Sequence, residues 1–158
     1  MKNLSAHNKG FTLIELVIVI SIMLIIAGGA MVNVISFTQN QSTTDDAKLL
    51  ITEFRRAYSK ATGVYYPGAC TNLTGYTITA AANSQTMTIT ANCAVPVPEA
   101  RTNVLKMSKF RDAVNFTFRV PDGVLLPSSP TLVVIKNIND QNNIKTISVS
   151  SNGVFQLL

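Results

Sequence analysis

Hydrophobic residues are concentrated in one long segment near the amino terminus of the chain. Residues 1–10 are mostly polar, whereas the stretch from Phe11 to Val34 is almost entirely apolar and has Glu15 as its only charged residue. A helix rises about 1.5 Å per residue and needs roughly 20 residues to cross a bilayer. The pattern therefore predicts a membrane-spanning helix over residues 11–35.

A second helical pattern follows this segment. Gly63 is a typical helix end. The simplest interpretation is one long helix from about residue 12 to 62, although Ser42–Thr44 could also cap a separate second helix. In the second half of this helix, apolar residues recur at spacings of three and four, which marks one face of an amphipathic helix. These residues are Leu50, Phe54, Ala57, Tyr58 and Ala61.

The chain after Gly63 has the pattern of short β-strands. These segments are rich in Thr, Val and Ile and alternate in part between apolar and polar residues. Turn residues such as Pro121-Asp122-Gly123 separate them, and Asn152-Gly153 favours a tight hairpin. Residues 95–101 are predicted as a connecting loop and residues 106–111 as a loop or strand edge. The predicted strands cover residues 73–80, 85–91, 115–120, 131–136, 144–150 and 153–157.

The combined pattern predicts an α+β fold. A long N-terminal hydrophobic helix is expected to pack by its C-terminal half on an antiparallel β-sheet head, with residues 36–158 forming that head. A length of 158 residues suits one domain of ordinary size.

The charge of the chain is low and mildly positive. Charged residues make up 13% of the sequence, against about 25% in an average soluble protein. The 13 Lys and Arg and the 8 Asp and Glu give a formal net charge of +5, which falls to +3 if the chain is cut before Phe11 and loses Lys2 and Lys9. Such a balance does not require a nucleic acid or an anionic membrane as partner.

The two cysteines, Cys70 and Cys93, both follow the apolar segment. In an exported domain such a pair favours a disulfide, which would stabilise the fold by about 3 kcal/mol. Two free, buried thiols are the alternative. A zinc site is not expected, because His7 is the only histidine and lies far from both cysteines.

Glu15 is unusual for a plain membrane anchor. An unpaired carboxylate in an apolar helix costs several kcal/mol, so it needs a partner or a function. A cut between Gly10 and Phe11 would create a positive α-amino group four residues before Glu15. The amine of one subunit could then pair with the carboxylate of its neighbour when such helices pack side by side.

Lys9-Gly10 followed by Phe11-Thr12-Leu13-Ile14-Glu15 resembles the class III signal of type IV prepilins and type II secretion pseudopilins. The resemblance implies that a prepilin peptidase removes residues 1–10 as a leader, that Phe11 is then methylated, and that Glu15 acts in assembly. It also implies a single-pass membrane protein with an exported head, which later enters a cell-surface pilus or a periplasmic pseudopilus. The expected partners are other pilin subunits, the peptidase, inner-membrane assembly machinery and, before assembly, the membrane.

Two further observations bear on this resemblance. An ordinary secretory signal cut near Ala27–Ala30 is the alternative, but Glu15 argues against it, since a signal core has no use for a carboxylate. Many family members have a proline at the position that Val32 occupies here. Gly28-Gly29 could loosen the helix instead, because each glycine costs about 1 kcal/mol relative to alanine.

The carboxyl-terminal part of the chain resembles the heads of the GspH/FimT group of minor pilins and pseudopilins. The resemblance implies a structural subunit of a type IV pilus, with a minor pilin favoured and a type II secretion pseudopilin as the alternative. The residues that carry it are Phe116-Thr117-Phe118, Pro121-Asp122-Gly123, Leu132-Val133-Val134, Ile147-Ser148-Val149 and Asn152-Gly153-Val154.

No arrangement of residues indicates catalysis, a cofactor or a metal. His7 would be lost with the leader, which excludes a histidine-based triad in the mature chain, and Asp45-Asp46 is interpreted as negative charge at a helix start. One cluster could bind DNA phosphates on a competence pilus, with scattered surface charge as the alternative. It consists of Arg101, Lys106, Lys109, Arg111 and Arg119.

Overall fold

A computed structural model of the protein describes residues 11–68, 70–94, 101–128 and 131–158, with the side chains of residues 29–33 and Arg101 left out. The predicted leader, including Gly10, and nearly all of the predicted loop 95–101 lie outside the described residues. The chain divides into two compact units, Met1–Phe37 and Thr38–Leu158, which are considered separately below.

One helix, α1, extends over Leu13–Thr62, in agreement with the predicted helix. Its start is capped by Thr12, whose hydroxyl oxygen accepts a hydrogen bond from the backbone N–H of Glu15 at 3.3 Å. The separate helix considered at Ser42–Thr44 is not found. The Ser42 hydroxyl donates to the carbonyl of Thr38 at 2.8 Å, one turn earlier, so it bonds within a continuing helix instead of capping a new one.

The first unit exposes its apolar side chains. Every described side chain between Phe11 and Phe37 is exposed; Leu13 is 82% exposed and Ile26 is 67% exposed. Among the described residues, no helix combines the length and hydrophobicity that a membrane crossing requires. The predicted span over residues 11–35 includes side chains outside the description and stays a prediction.

The second unit contains nine described strands. They are β1 Gly75–Ala80, β2 Thr86–Asn92, β3 Arg101–Val104, β4 Ser108–Phe110, β5 Val114–Arg119, β6 Leu125–Leu126, β7 Thr131–Asn137, β8 Ile144–Val149 and β9 Phe155–Leu157. All of the described pairings are antiparallel.

These strands form two sheets, whereas the sequence suggested a single one. The five-stranded sheet has the order β3-β2-β1-β5-β6 and the four-stranded sheet the order β4-β7-β8-β9. The α+β class and the antiparallel arrangement are confirmed, but β3 and β6 were not predicted as strands. Alternation along a strand shows which side chains face the core, but it does not show which strand is the neighbour. The division into two sheets could therefore not be predicted from the sequence pattern.

The core lies between the helix and both sheets. Phe54 of α1 contacts Phe116 of β5, with ring centroids 5.4 Å apart, and Tyr58 contacts Phe118 at 5.7 Å. Phe155 of β9 joins this group, with its ring 6.0 Å from that of Phe118. The cluster therefore ties the helix and the two sheets together through edge-to-face contacts.

A disulfide joins Cys70 to Cys93, the pairing that the sequence favoured, with the two Cα atoms 5.4 Å apart. Cys93 directly follows β2, and Cys70 lies in the connection between α1 and β1. Nearby, the backbone N–H of Ala94 donates to the carbonyl of Thr71 at 2.8 Å. The crosslink therefore anchors the long connection after the helix to the end of β2.

Candidate assembly site and head surfaces

The candidate assembly site lies at the start of α1. Phe11 is 80% exposed, and Glu15 lies in the first helical turn. The first turn of a helix carries a positive partial charge from its free N–H groups, which favours a carboxylate there. Gly10, the residue before the predicted cut, lies outside the description.

This arrangement can support pairing between subunits. Glu15 follows Phe11 by four residues, and α1 begins between them at Leu13. A free amine at Phe11 of one chain could therefore approach Glu15 of a second chain that is shifted along the helix direction. The exposed apolar side chains on all sides of the following segment suit packing against lipid or against other apolar helices.

Asp46 has a different position from the one expected. It was interpreted as a charge near a helix start, but α1 begins at Leu13 and Asp46 lies deep within the helix. Its side chain is 3% exposed, and its two oxygens accept the backbone N–H groups of Lys106 at 3.1 Å and Met107 at 3.0 Å. The residue therefore holds the β3–β4 loop against the helix, whereas neighbouring Asp45 is exposed beside Lys48.

Asn137 forms a second polar contact between the helix and the four-stranded sheet. It is fully buried at the end of β7, and its amide nitrogen donates to the Thr43 hydroxyl at 2.8 Å and to the Gln39 carbonyl at 3.2 Å. Its side-chain oxygen accepts the backbone N–H of Asn139 at 2.8 Å. Sequence reasoning missed this residue, because an asparagine after an apolar run usually indicates only a turn.

The five basic residues considered for DNA lie on both sheets of the head and on the loops beside them. Arg101 and Arg119 lie on β3 and β5 of the five-stranded sheet, three strand spacings apart, which amounts to roughly 14 Å. Lys109 lies on β4 of the other sheet, and Lys106 and Arg111 flank that strand. Lys136 of β7, which was not considered, lies directly opposite Lys109.

Two of these basic side chains are bonded to nearby carboxylates. The Nε atom of Arg111 donates to Asp112 at 2.8 Å, and that of Arg119 donates to Asp122 at 3.1 Å. Hydrogen bonding from Arg119 is the main cause that lowers the pKa of Asp122, and the backbone N–H of Val124 contributes. The same bond raises the pKa of Arg119. The Arg111–Asp112 pair lies between β4 and β5, and the Arg119–Asp122 pair lies at the end of β5 and in the turn before β6.

Comparison with known proteins gives a sequence match near the amino terminus and structural matches over most of the chain. The family described as the prokaryotic N-terminal methylation motif matches residues 5–31. No curated protein matches the chain. Among solved structures, the chain is similar to the type IV minor pilin FimU of Pseudomonas aeruginosa in two crystal forms.

The two crystal forms give consistent values. The P65 form shows 18% identity and a TM-score of 0.51, with 73% of this chain and 91% of FimU covered. The P21 form shows 18% identity and a TM-score of 0.52, with 77% and 92% covered. At this identity the likeness shows the fold alone.

The chain therefore combines a prokaryotic N-terminal methylation motif over residues 5–31 with a fold similar to that of a type IV minor pilin.

Proposed function

We propose that the chain is a minor subunit of a type IV pilus, made as a prepilin and assembled after cleavage between Gly10 and Phe11. The observation that carries the proposal is Glu15 in the first turn of α1, in a segment from Phe11 to Phe37 whose described side chains are all exposed. The minor role is favoured by the likeness of the fold to that of FimU, a type IV minor pilin.

The mechanism follows from the chemistry of the helix. The segment after Phe11 waits in the membrane as a single span, with the head on the exported side. During assembly the amine of Phe11 in one subunit pairs with Glu15 of a neighbour, which removes two charges from an apolar interior at once. Apolar contact with neighbouring helices then replaces contact with lipid. The prepilin peptidase, the assembly machinery and the other pilins are the partners in this scheme.

The test replaces Glu15 by alanine in the full chain, with Asp45→Ala as control because Asp45 is an exposed carboxylate on the same helix. We expect Glu15→Ala to be cleaved and to reach the membrane but to be lost from filaments sheared off the cells. Mass spectrometry of the peptide that begins at methylated Phe11 quantifies both fractions. Normal incorporation of Glu15→Ala would refute the pairing role.

The same measurement separates the alternatives. A peptide that dominates the sheared filaments would indicate a major pilin. Its absence from filaments, with processed protein retained in the cell envelope, would favour the type II secretion pseudopilin. DNA binding stays a prediction, which a gel shift with the purified protein at low ionic strength tests.

A further inference from the structure

Asn152-Gly153 is the one Asn-Gly pair in the sequence, and it lies in the connection between β8 and β9. The backbone N–H of Ser150 donates to the carbonyl of Val154 at 3.0 Å, which closes a hairpin around the residues between them. Gly153 has φ of +71°, as the last residue of such a short loop often does. Asn152 is exposed, so water has access to its side-chain amide.

An asparagine followed by glycine can react with its own backbone. The nitrogen of Gly153 loses its proton and forms a bond to Cγ of Asn152, and ammonia leaves with that proton. Water then opens the resulting cyclic imide at either of its carbonyl groups. One opening gives aspartate, and the other gives isoaspartate, in which the backbone passes through the side-chain carbon. Glycine favours the attack because it has no Cβ to hinder the approach of its nitrogen.

The hydrogen bonds of the turn leave this attack open. The N–H of Gly153 donates to the carbonyl of Ser150 at 3.2 Å, which is the long end of the normal range, so the bond is weak. The Ser151 hydroxyl donates to Oδ1 of Asn152 at 3.2 Å. A donor at this oxygen makes Cγ more reactive and stabilises the negative charge that develops on the oxygen during the attack.

A second turn of the chain provides an internal reference. Asn83 is exposed and lies in the connection between β1 and β2. The N–H of the next residue, Ser84, donates to the carbonyl of Ala81 at 3.2 Å, which is the same distance and residue spacing as for Gly153. Asn83 and Asn152 therefore share exposure and the bond of the following N–H, but Ser84 carries a side chain.

The Asn152 turn packs on the helix, so its chemistry can affect the head. A Cβ at Gly153 would lie 2.3 Å from the ring of Tyr58. Phe155 of β9 also contacts Tyr58, with ring centroids 6.2 Å apart, and Phe118 at 6.0 Å. Isoaspartate lengthens the backbone by a methylene group and adds a carboxylate directly before this contact. The change is therefore expected to disturb the packing of β9 on α1.

We propose that Asn152 deamidates spontaneously in the folded protein through a cyclic imide with Gly153, and that the isoaspartate product loosens β9 from α1. Water is the co-reactant, and the products are ammonia and a head with an added negative charge. The reaction proceeds with the age of each copy of the chain, so old and new copies differ in the β8–β9 hairpin. The inference does not depend on a role in filaments.

The test incubates the full chain in detergent in mildly alkaline water enriched in heavy oxygen. The protein is then digested in ordinary water and mapped by mass spectrometry, so the oxygen label marks conversion that occurred before digestion. We expect labelled aspartate and isoaspartate at Asn152 to form roughly tenfold or more faster than at Asn83. The rate should rise with pH, because the attacking nitrogen must lose its proton.

Two variants sharpen the comparison. Ser84→Gly removes the side chain after Asn83 and should raise conversion at Asn83 roughly tenfold. Asn152→Ser removes the reacting amide, so its turn should acquire no label. Each variant is checked for the Cys70–Cys93 disulfide on a non-reducing gel. No increase at Asn83 in Ser84→Gly would contradict the role given to glycine.

The same chain unfolded in urea tests whether the native turn permits the reaction. Labelling of Asn152 in urea but not in the folded chain would overturn the inference, because the turn would then protect the amide. Equal rates at Asn152 and Asn83 in the folded chain would overturn it as well.

Hydrogen exchange on the separated isoaspartate form tests the effect on β9. The amide of Leu158, which bonds to the carbonyl of Thr146 at 2.8 Å, should exchange roughly tenfold faster than in the unmodified chain. Unchanged exchange at Leu158 would show that the modification leaves β9 in place, which would overturn the proposed loosening.

Discussion

Removal of the Asp46 carboxylate should destabilise the head far more than removal of its neighbour Asp45. Asp46 is almost fully buried and accepts two backbone N–H groups from the β3–β4 loop. Asp46→Ala leaves both N–H groups without their acceptor. Asp45→Ala removes only an exposed ion pair with Lys48, whose charged atoms are 3.9 Å apart.

The magnitude follows from the number of lost bonds. A buried N–H left without an acceptor costs about 1–3 kcal/mol. Lys106 is exposed and Met107 is partly exposed, so water can compensate in part. We therefore expect a loss of roughly 2–4 kcal/mol for Asp46→Ala, about half of that for Asp46→Asn, and under about 0.5 kcal/mol for Asp45→Ala.

Two measurements check this expectation in the full chain in detergent. Urea unfolding followed by tyrosine fluorescence gives the free energy of unfolding, since the chain has 4 tyrosines and no tryptophan. Hydrogen exchange should show the amides of Lys106 and Met107 exchanging roughly 10- to 100-fold faster in Asp46→Ala. Equal losses for Asp45→Ala and Asp46→Ala, or unchanged exchange at both amides, would contradict the role of Asp46.

Two further predictions concern the turns of the head. Gly153 has φ of +71°, and a Cβ there would lie 2.3 Å from the Tyr58 ring. Gly153→Ala should therefore lower the free energy of unfolding by roughly 2–4 kcal/mol in the same urea assay. Gly28→Ala, where a Cβ meets nothing within 4 Å, is the control, and an equal loss there would argue against the contact with Tyr58. The lowered pKa of Asp122 means that its contribution to stability is present above the pKa of the unfolded state and is lost as the pH falls through the folded pKa. In Arg119→Gln the carboxyl pKa of Asp122, followed by NMR, should rise toward its ordinary value, and an unchanged pKa would show that Arg119 is not the cause.

The sequence predicted the helix and most strands because their signals are local. The apolar run after Phe11 and the spacing of Leu50, Phe54 and Ala57 lie within one element, and α1 ends within a residue of the predicted limit. Likewise, Asn152-Gly153 marked the hairpin between β8 and β9, where Gly153 takes the left-handed conformation that such a turn requires. The disulfide was predictable because only two cysteines were present.

The contacts that organise the head were not predictable in the same way. Asp46 and Asn137 act through partners that lie far away in the chain: Asp46 binds N–H groups 60 and 61 residues distant, and Asn137 binds the Thr43 hydroxyl 94 residues distant. A single polar residue in an amphipathic or apolar segment looks like ordinary surface or turn. Burial alone distinguishes it, and burial depends on which elements meet.

The outer face of the four-stranded sheet shows the same limit for function. Lys109 and Lys136 are opposite each other only because β4 pairs with β7, and Leu132 and Leu158 share a face only because β8 lies between their strands. Proximity in sequence instead grouped Arg101 with Arg119, which the sheet separates by three strand spacings. Strand order therefore determines which charges lie on one surface, and spacing along the chain does not reveal it.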